Sequence, residues 1–172
     1  MRRRRAPRQQ DLGVTQRTPP VFSIPVTREE DRFACAAEGA LIARWAGLSE
    51  RAQHELAIAI AELVSNAVRH GGGGSISIRA IRDEAAAGGG RWGVEVIVRD
   101  SGPGLDPRIA LLEDVGPKSD RSPSSSSSAR LTPRMPGQGL GVGLGAVHRL
   151  MSSVVIRSSP GISTEITAVK WK

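Results

Sequence analysis

Cysteine is all but missing from this chain: Cys35 stands alone in 172 residues. One thiol excludes an internal disulfide framework and a cysteine-rich zinc site, and it suits a reducing compartment. Tyrosine is absent and lysine is scarce, arginine outnumbering it 21 to 3. We read this bias as that of a GC-rich genome rather than as chemistry. There is no apolar run of the roughly 18 residues that a membrane helix needs. No apolar segment follows Arg2, Arg3, Arg4 and Arg5, so the N-terminus does not read as a secretory signal. The expectation is a cytoplasmic protein without a membrane span, long enough to bury one core without covalent staples.

A net charge of +7 would suggest nucleic acid if it were spread over the surface. It is not. Residues 1–20 hold six arginines and one aspartate and carry +5; residues 116–136 carry +3, from Lys118, Arg121, Arg130 and Arg134 against Asp120. The rest is close to neutral and offers no basic docking face, so no nucleic-acid partner is expected. Residues 1–20 lack periodicity and end in Thr18-Pro19-Pro20, which predicts a disordered basic arm ahead of one domain at 21–172. Seven serines and four prolines in 116–136 fit no packed element.

Val21 to Val26 reads as a short strand, with Pro25 confining it to a sheet edge. Thr27, with Glu30 three residues on, has capping-box spacing. The helix after it carries apolar Phe33, Ala37, Ala40, Leu41 and Ala43 and should stop near Gly47. Ser49 caps a second helix over 50–70, with Leu56, Ile60, Leu63, Val64 and Ala67 at helical spacing, ended by Gly71-Gly72-Gly73-Gly74. Alternation over 75–81 and 92–98 predicts a hairpin with a long loop. A helix near 144–152 and strands near 154–158 and 163–171, turning at Pro160-Gly161, complete the chain. This order predicts an α+β fold, a two-layer α/β sandwich with a mixed sheet and helices on one face.

Three clusters could carry chemistry. Glu62 and Asn66 are four apart, so they project from one side of the second helix, beside its apolar stripe. A carboxylate beside a carboxamide can orient a hydroxyl and offer a hard oxygen to Mg²⁺; alone, the pair is equally an ordinary polar flank. Asp100-Ser101-Gly102-Pro103-Gly104 puts an acceptor-only carboxylate at a strand end, next to backbone that a planar ligand can approach. Alone, it is also a plain turn. Finally, Gly137 to Gly145 alternates glycine with Gln138, Leu140, Val142 and Leu144 before a helix. Bare backbone amides and the positive helix end make a phosphate cradle there without a cationic side chain. No Gly-Lys-Ser/Thr follows, so it is not a Walker A loop; alone, it is also a glycine linker.

The three in this order, between residues 62 and 145, resemble the Bergerat ATP-binding fold shared by gyrase-type ATPases, heat-shock chaperone ATPases, histidine kinases and MutL. No phosphoacceptor-histidine helix precedes them, which sets full sensor kinases aside. Gly139 to Leu144, Val147 to Met151, Pro160-Gly161, Thr164 and Val169-Lys170-Trp171 are similar to the small serine/threonine kinases that regulate sigma factors by partner switching. The chain departs from that pattern in its arginine-rich arm, its long Ser/Pro-rich segment, Ser163, Gly145 and His70.

The resemblance implies ATP and Mg²⁺ as cofactors and residues 105–140 as a flexible ATP lid. It implies Glu62 as general base and Asn66 as the Mg²⁺ ligand. Asp100 would bind adenine, with Gly102 and Gly104 giving close approach. Gly139, Leu140, Gly141, Val142, Gly143 and Leu144 would bind phosphate, and Thr164 would lie by the adenine. The implied partners are STAS-domain antagonists or stressosome scaffold proteins. A PP2C-type phosphatase, a sigma factor or a second copy of the chain are further partners such kinases take. An anti-sigma kinase and a non-catalytic nucleotide-binding module share every one of these motifs and stay open here. Lone residues read blandly: Cys35 as packing, the tryptophans as core or rim, His54 and His148 as exposed.

Overall fold

The computed structural model describes residues 18–86, 88–104 and 143–172. The expectations for the arm up to residue 17, for the Ser/Pro-rich stretch and for Gly139, Leu140, Gly141 and Val142 fall outside them. The order is β1 (Val21–Val26), α1 (Asp31–Trp45), α2 (Glu50–Gly71), β2 (Gly74–Asp83), β3 (Arg91–Asp100), α3 (Gly143–Leu150), β4 (Ser153–Ser159) and β5 (Ser163–Trp171). The strands form one sheet, β1-β2-β3-β5-β4, and Pro25 sits in edge strand β1 as expected.

The fold is α+β, but every strand pair in this sheet is antiparallel, where a mixed sheet was expected. The reason is topological. A single helix between two strands returns the chain parallel. Here α1 and α2 form a helical hairpin between β1 and β2, so the chain comes back reversed. β3 and β4 do run the same way, but β5 lies between them.

The helix caps divide in the same manner. Ser49 caps α2 as predicted, its Oγ accepting from the Ala52 amide at 3.3 Å. Gly72, at φ 70°, ends it in the left-handed conformation that glycine takes without strain. Thr27 does not cap α1. Instead the Asp31 carboxylate reaches back and accepts from the amides of Thr27 and Arg28, at 2.8 and 2.9 Å. A carboxylate has more acceptor capacity than a hydroxyl, and it carries charge at the positive helix end.

The core lies between the helices and one sheet face. Leu56, Ile60, Leu63 and Val64 of α2 meet Ile76, Ile78, Val94, Val96 and Val98 of the central strands. α1 turns a different face to it than its apolar residues predict. Phe33 and Leu41 are 64% and 58% exposed, while Cys35, Gly39, Ile42 and Ala43 are buried. The missing side chain of Gly39 decides this, because a Cβ there would come within 2.1 Å of Ile60 Cδ1. Close approach of the two helices selects small residues over merely apolar ones. Burial pushes the Cys35 thiol up to about 11, with the Asp31 carboxylate adding to it, which leaves it a packing residue. Trp45 and Trp92 meet edge to face at 4.9 Å. His148 is half-buried, not exposed as expected.

Candidate functional site

Helix α2 is the spine of the site. Its apolar stripe faces the sheet, and the adjoining flank carries Glu62 and Asn66, both half-buried. The first residue of α3, Gly143, sits against them. A Cβ on Gly143 would lie 3.1 Å from Glu62 Oε2 and 3.1 Å from Asn66 Nδ2. The first residue of α3 therefore lies at the acid–amide pair. Leu144, beside it, is half-buried on the core and acts as the helix anchor.

The other end is built on the sheet. Antiparallel register sets Asp100 of β3 opposite Thr164 of β5, and Thr164 opposite Ser158 of β4. This row continues Val98, Ile166 and Ile156 two residues further along the same strands. Strand side chains alternate with period two, so the polar row faces the same side as the apolar one, at the core's edge. Thr164 is buried, and its Oγ1 stands 3.5 Å from Ser158 Oγ, which in turn donates to the Ser163 carbonyl at 3.4 Å. Behind it, on the opposite face, Glu165 takes the Arg99 Nε at 2.6 Å and the Arg157 guanidinium at 3.1 Å. Both arginines hold the Glu165 carboxyl below the usual range, Arg99 more strongly.

Two glycines join the ends. A Cβ on Gly71, the last residue of α2, would fall 2.4 Å from Asp100 Cβ and 2.7 Å from its Oδ1. One on Gly102 would fall 2.5 Å from Gly71 Cα. Only bare backbone on both sides lets the Asp100 turn seat against the helix end. The Gly102 amide donates to Asp100 Oδ1 at 3.0 Å and orients it. Gly104 lies against Ser158 and Ser159, and the Gly161 amide donates to the Pro103 carbonyl at 2.8 Å, tying the turn to the β4–β5 hairpin. Asn66 and Gly71 are five residues apart, about 7.5 Å along the axis, so one and a half helical turns connect the two groups.

The structure thus brings Glu62, Asn66 and Gly143 together, and Asp100, Gly102, Gly104 and Thr164 together, with α2 joining the sets. Sequence reasoning missed three contributors. Gly71 read as part of a helix stop, yet the C-cap needs only Gly72; a run of four glycines was the signal. Ser158 becomes visible only through strand register. Arg69, three residues past Asn66, makes a two-pronged pair with Glu29, at 2.6 and 2.8 Å. Glu29 above all, and Glu62 to a smaller degree, hold its guanidinium protonated, while Arg69 holds the Glu29 carboxyl down.

A strand-end carboxylate, a helical acid–amide pair and a helix start, arranged along one spine, define a histidine kinase-like ATPase domain. The model of that family matches residues 27–170, and the chain belongs to it. It is also 30% identical over 148 residues to the serine/threonine-protein kinase RsbT of Bacillus subtilis (strain 168), covering 86% of this chain and 94% of that protein. Among the described residues no helix is long and apolar enough to cross a membrane.

Proposed function

We propose that this chain is a cytoplasmic, Mg·ATP-dependent serine/threonine protein kinase of a sigma-factor partner-switching pathway, acting on small STAS-domain proteins. The observation that carries the reading is the convergence of Glu62, Asn66 and the start of α3. A Cβ at position 143 would crowd Glu62 Oε2 and Asn66 Nδ2, each at 3.1 Å, so glycine there is what lets the backbone come this close to the pair. The likeness to RsbT over most of both chains supports the same activity.

Adenine would lie at the Asp100–Thr164 row. The ionised carboxylate only accepts, which suits the exocyclic amine and repels a keto oxygen. The phosphates would run along the last turns of α2 toward the amides that open α3. Asn66 Oδ1 would be the hard oxygen to hold Mg²⁺, an ion that needs few protein ligands. Held there, Mg²⁺ would supply positive charge to offset that developing on the transferring phosphoryl group. Glu62 orients the acceptor hydroxyl and takes its proton as the new O–P bond forms in line with the departing ADP oxygen. Positioning carries most of the rate, since the protein forms no covalent bond of its own.

The test incubates the full chain with radiolabelled ATP, Mg²⁺ and a cognate STAS-domain protein. Phosphoserine or phosphothreonine on the partner is the expected result. Nucleotide binding without phosphate transfer would make the chain a binding module. Recovery of a sigma factor instead of a stressosome scaffold in a pull-down would make it an anti-sigma kinase.

A further inference from the structure

Lysine is rare in this chain, and one of its three copies is nearly buried. The Lys170 side chain, 15% exposed, donates from Nζ to Glu55 Oε2 at 2.6 Å and also to the carbonyl of Leu150. Leu150 is the last residue of α3. Two more bonds fix the same end to β5: the Ser152 amide donates to the Val169 carbonyl at 2.8 Å, and the Trp171 amide to Ser152 Oγ at 3.0 Å. An ammonium at a helix C-terminus meets both an unpaired carbonyl and the negative pole, so it is well placed to anchor that end.

The anchor acts at a distance through helix geometry. Glu55 lies seven residues before Glu62 on α2, and Leu150 lies seven residues after Gly143 on α3. Each interval spans about 10.5 Å. The helices run antiparallel, so the Lys170–Glu55–Leu150 junction and the Gly143–Glu62–Asn66 contact are the two ends of one helix pair. A slip of one residue at the anchored end would carry Gly143 about 1.5 Å along α2 and turn it by about 100°. Gly143 would no longer lie against the acid–amide pair.

We propose that Lys170 is a positioning residue for the phosphate end of the site: through Glu55 and the Leu150 carbonyl it sets the register of α3 against Glu62 and Asn66. The proposal rests on the nucleotide reading above. It deepens that reading by assigning a role to a residue remote from every predicted contact. A purely structural lysine would alter stability alone. A register-setting lysine alters phosphate recognition and leaves purine recognition untouched, because the Asp100–Thr164 row belongs to the sheet.

The test compares Mg·ADP binding by calorimetry with adenosine binding by NMR titration, in the full chain and its variants. Lys170→Met should weaken Mg·ADP about tenfold and leave adenosine within about twofold; misplacement near 1 Å can cost more than that. Lys170→Arg should retain wild-type binding of both. Glu55→Gln keeps the carbonyl anchor and should lower Mg·ADP affinity about threefold, which also serves if Lys170→Met does not fold. An unchanged ratio of the two affinities in Lys170→Met or in Glu55→Gln, whatever the melting temperature, overturns the proposal and leaves the nucleotide reading standing. A wild-type chain that binds adenosine and ADP equally, or neither, overturns both.

Discussion

The two ends of the site are made in different ways. The end proposed for adenine is a row of three side chains, Asp100, Thr164 and Ser158, on neighbouring strands held in register by backbone hydrogen bonds. Its opposite face is braced by Arg99, Glu165 and Arg157. The end proposed for phosphate is a contact between two helices, and its geometry depends on how α3 sits on α2. A sheet row can move only by breaking the ladder, whereas a helix contact can shift by sliding one element along another. On the proposed function, this contrast gives rigid recognition to the sheet and adjustable chemistry to the helix pair.

The sharpest break is at Glu62. Glu62→Ala should lower phosphoryl transfer by ~10²–10⁴ and leave Mg·ADP affinity unchanged, read by radiolabel incorporation beside calorimetry. If affinity fell in parallel with rate, Glu62 would be a binding group. Asn66→Ala comes next. ADP should then bind equally with and without Mg²⁺, whereas the wild type should bind far better with the metal. Asp100→Asn should weaken ATP by about 1–3 kcal/mol through loss of a hydrogen bond to a charged group. Its loss should be the same with and without Mg²⁺, and an unchanged affinity would remove adenine from that end. Ser158→Ala should cost about 1 kcal/mol or less and narrow the preference for ATP over GTP. The hydroxyl it removes faces Thr164, while Asp100 keeps its own amide bond from Gly102.

Acid should produce the smallest effect, on stability. Glu165 is depressed by Arg99 and Arg157, Glu29 by Arg69, and Glu55 by Lys170 and then Arg51. A depressed carboxyl stabilises the fold fully above its unfolded value, about 4.3 for glutamate, and loses that contribution as pH falls through the lower folded value. The melting temperature should therefore drop between about pH 5 and pH 3. Glu165→Gln should flatten the drop, and a variant with the wild-type slope would show that the brace behind the adenine row contributes nothing.

Most elements were legible because their signals are local. Ser49 and Gly72 bound α2, alternation marks β2 and β3, and Pro25 marks an edge. The candidate site residues were legible as types at fixed spacing, since Glu62 and Asn66 share a helix flank whatever surrounds them. Less local features misled. Phe33 and Leu41 were expected inside, but the crossing of α1 over α2 at Gly39 set the helix phase. Thr27 had capping-box spacing, yet it is Asp31, not Glu30, whose carboxylate takes the Thr27 amide, and the helix itself starts at Asp31.

By itself, the amino-acid order determined which segments are helix or strand and which groups of acid, amide and glycine could do chemistry. Those properties depend on neighbours a few positions away. Tertiary structure alone decided that Gly71 cradles Asp100, that Ser158 stands beside Thr164, and that Lys170 anchors α3 opposite Gly143. Each of these joins residues far apart along the chain through register or helix crossing, and neither is written in any short stretch of residues.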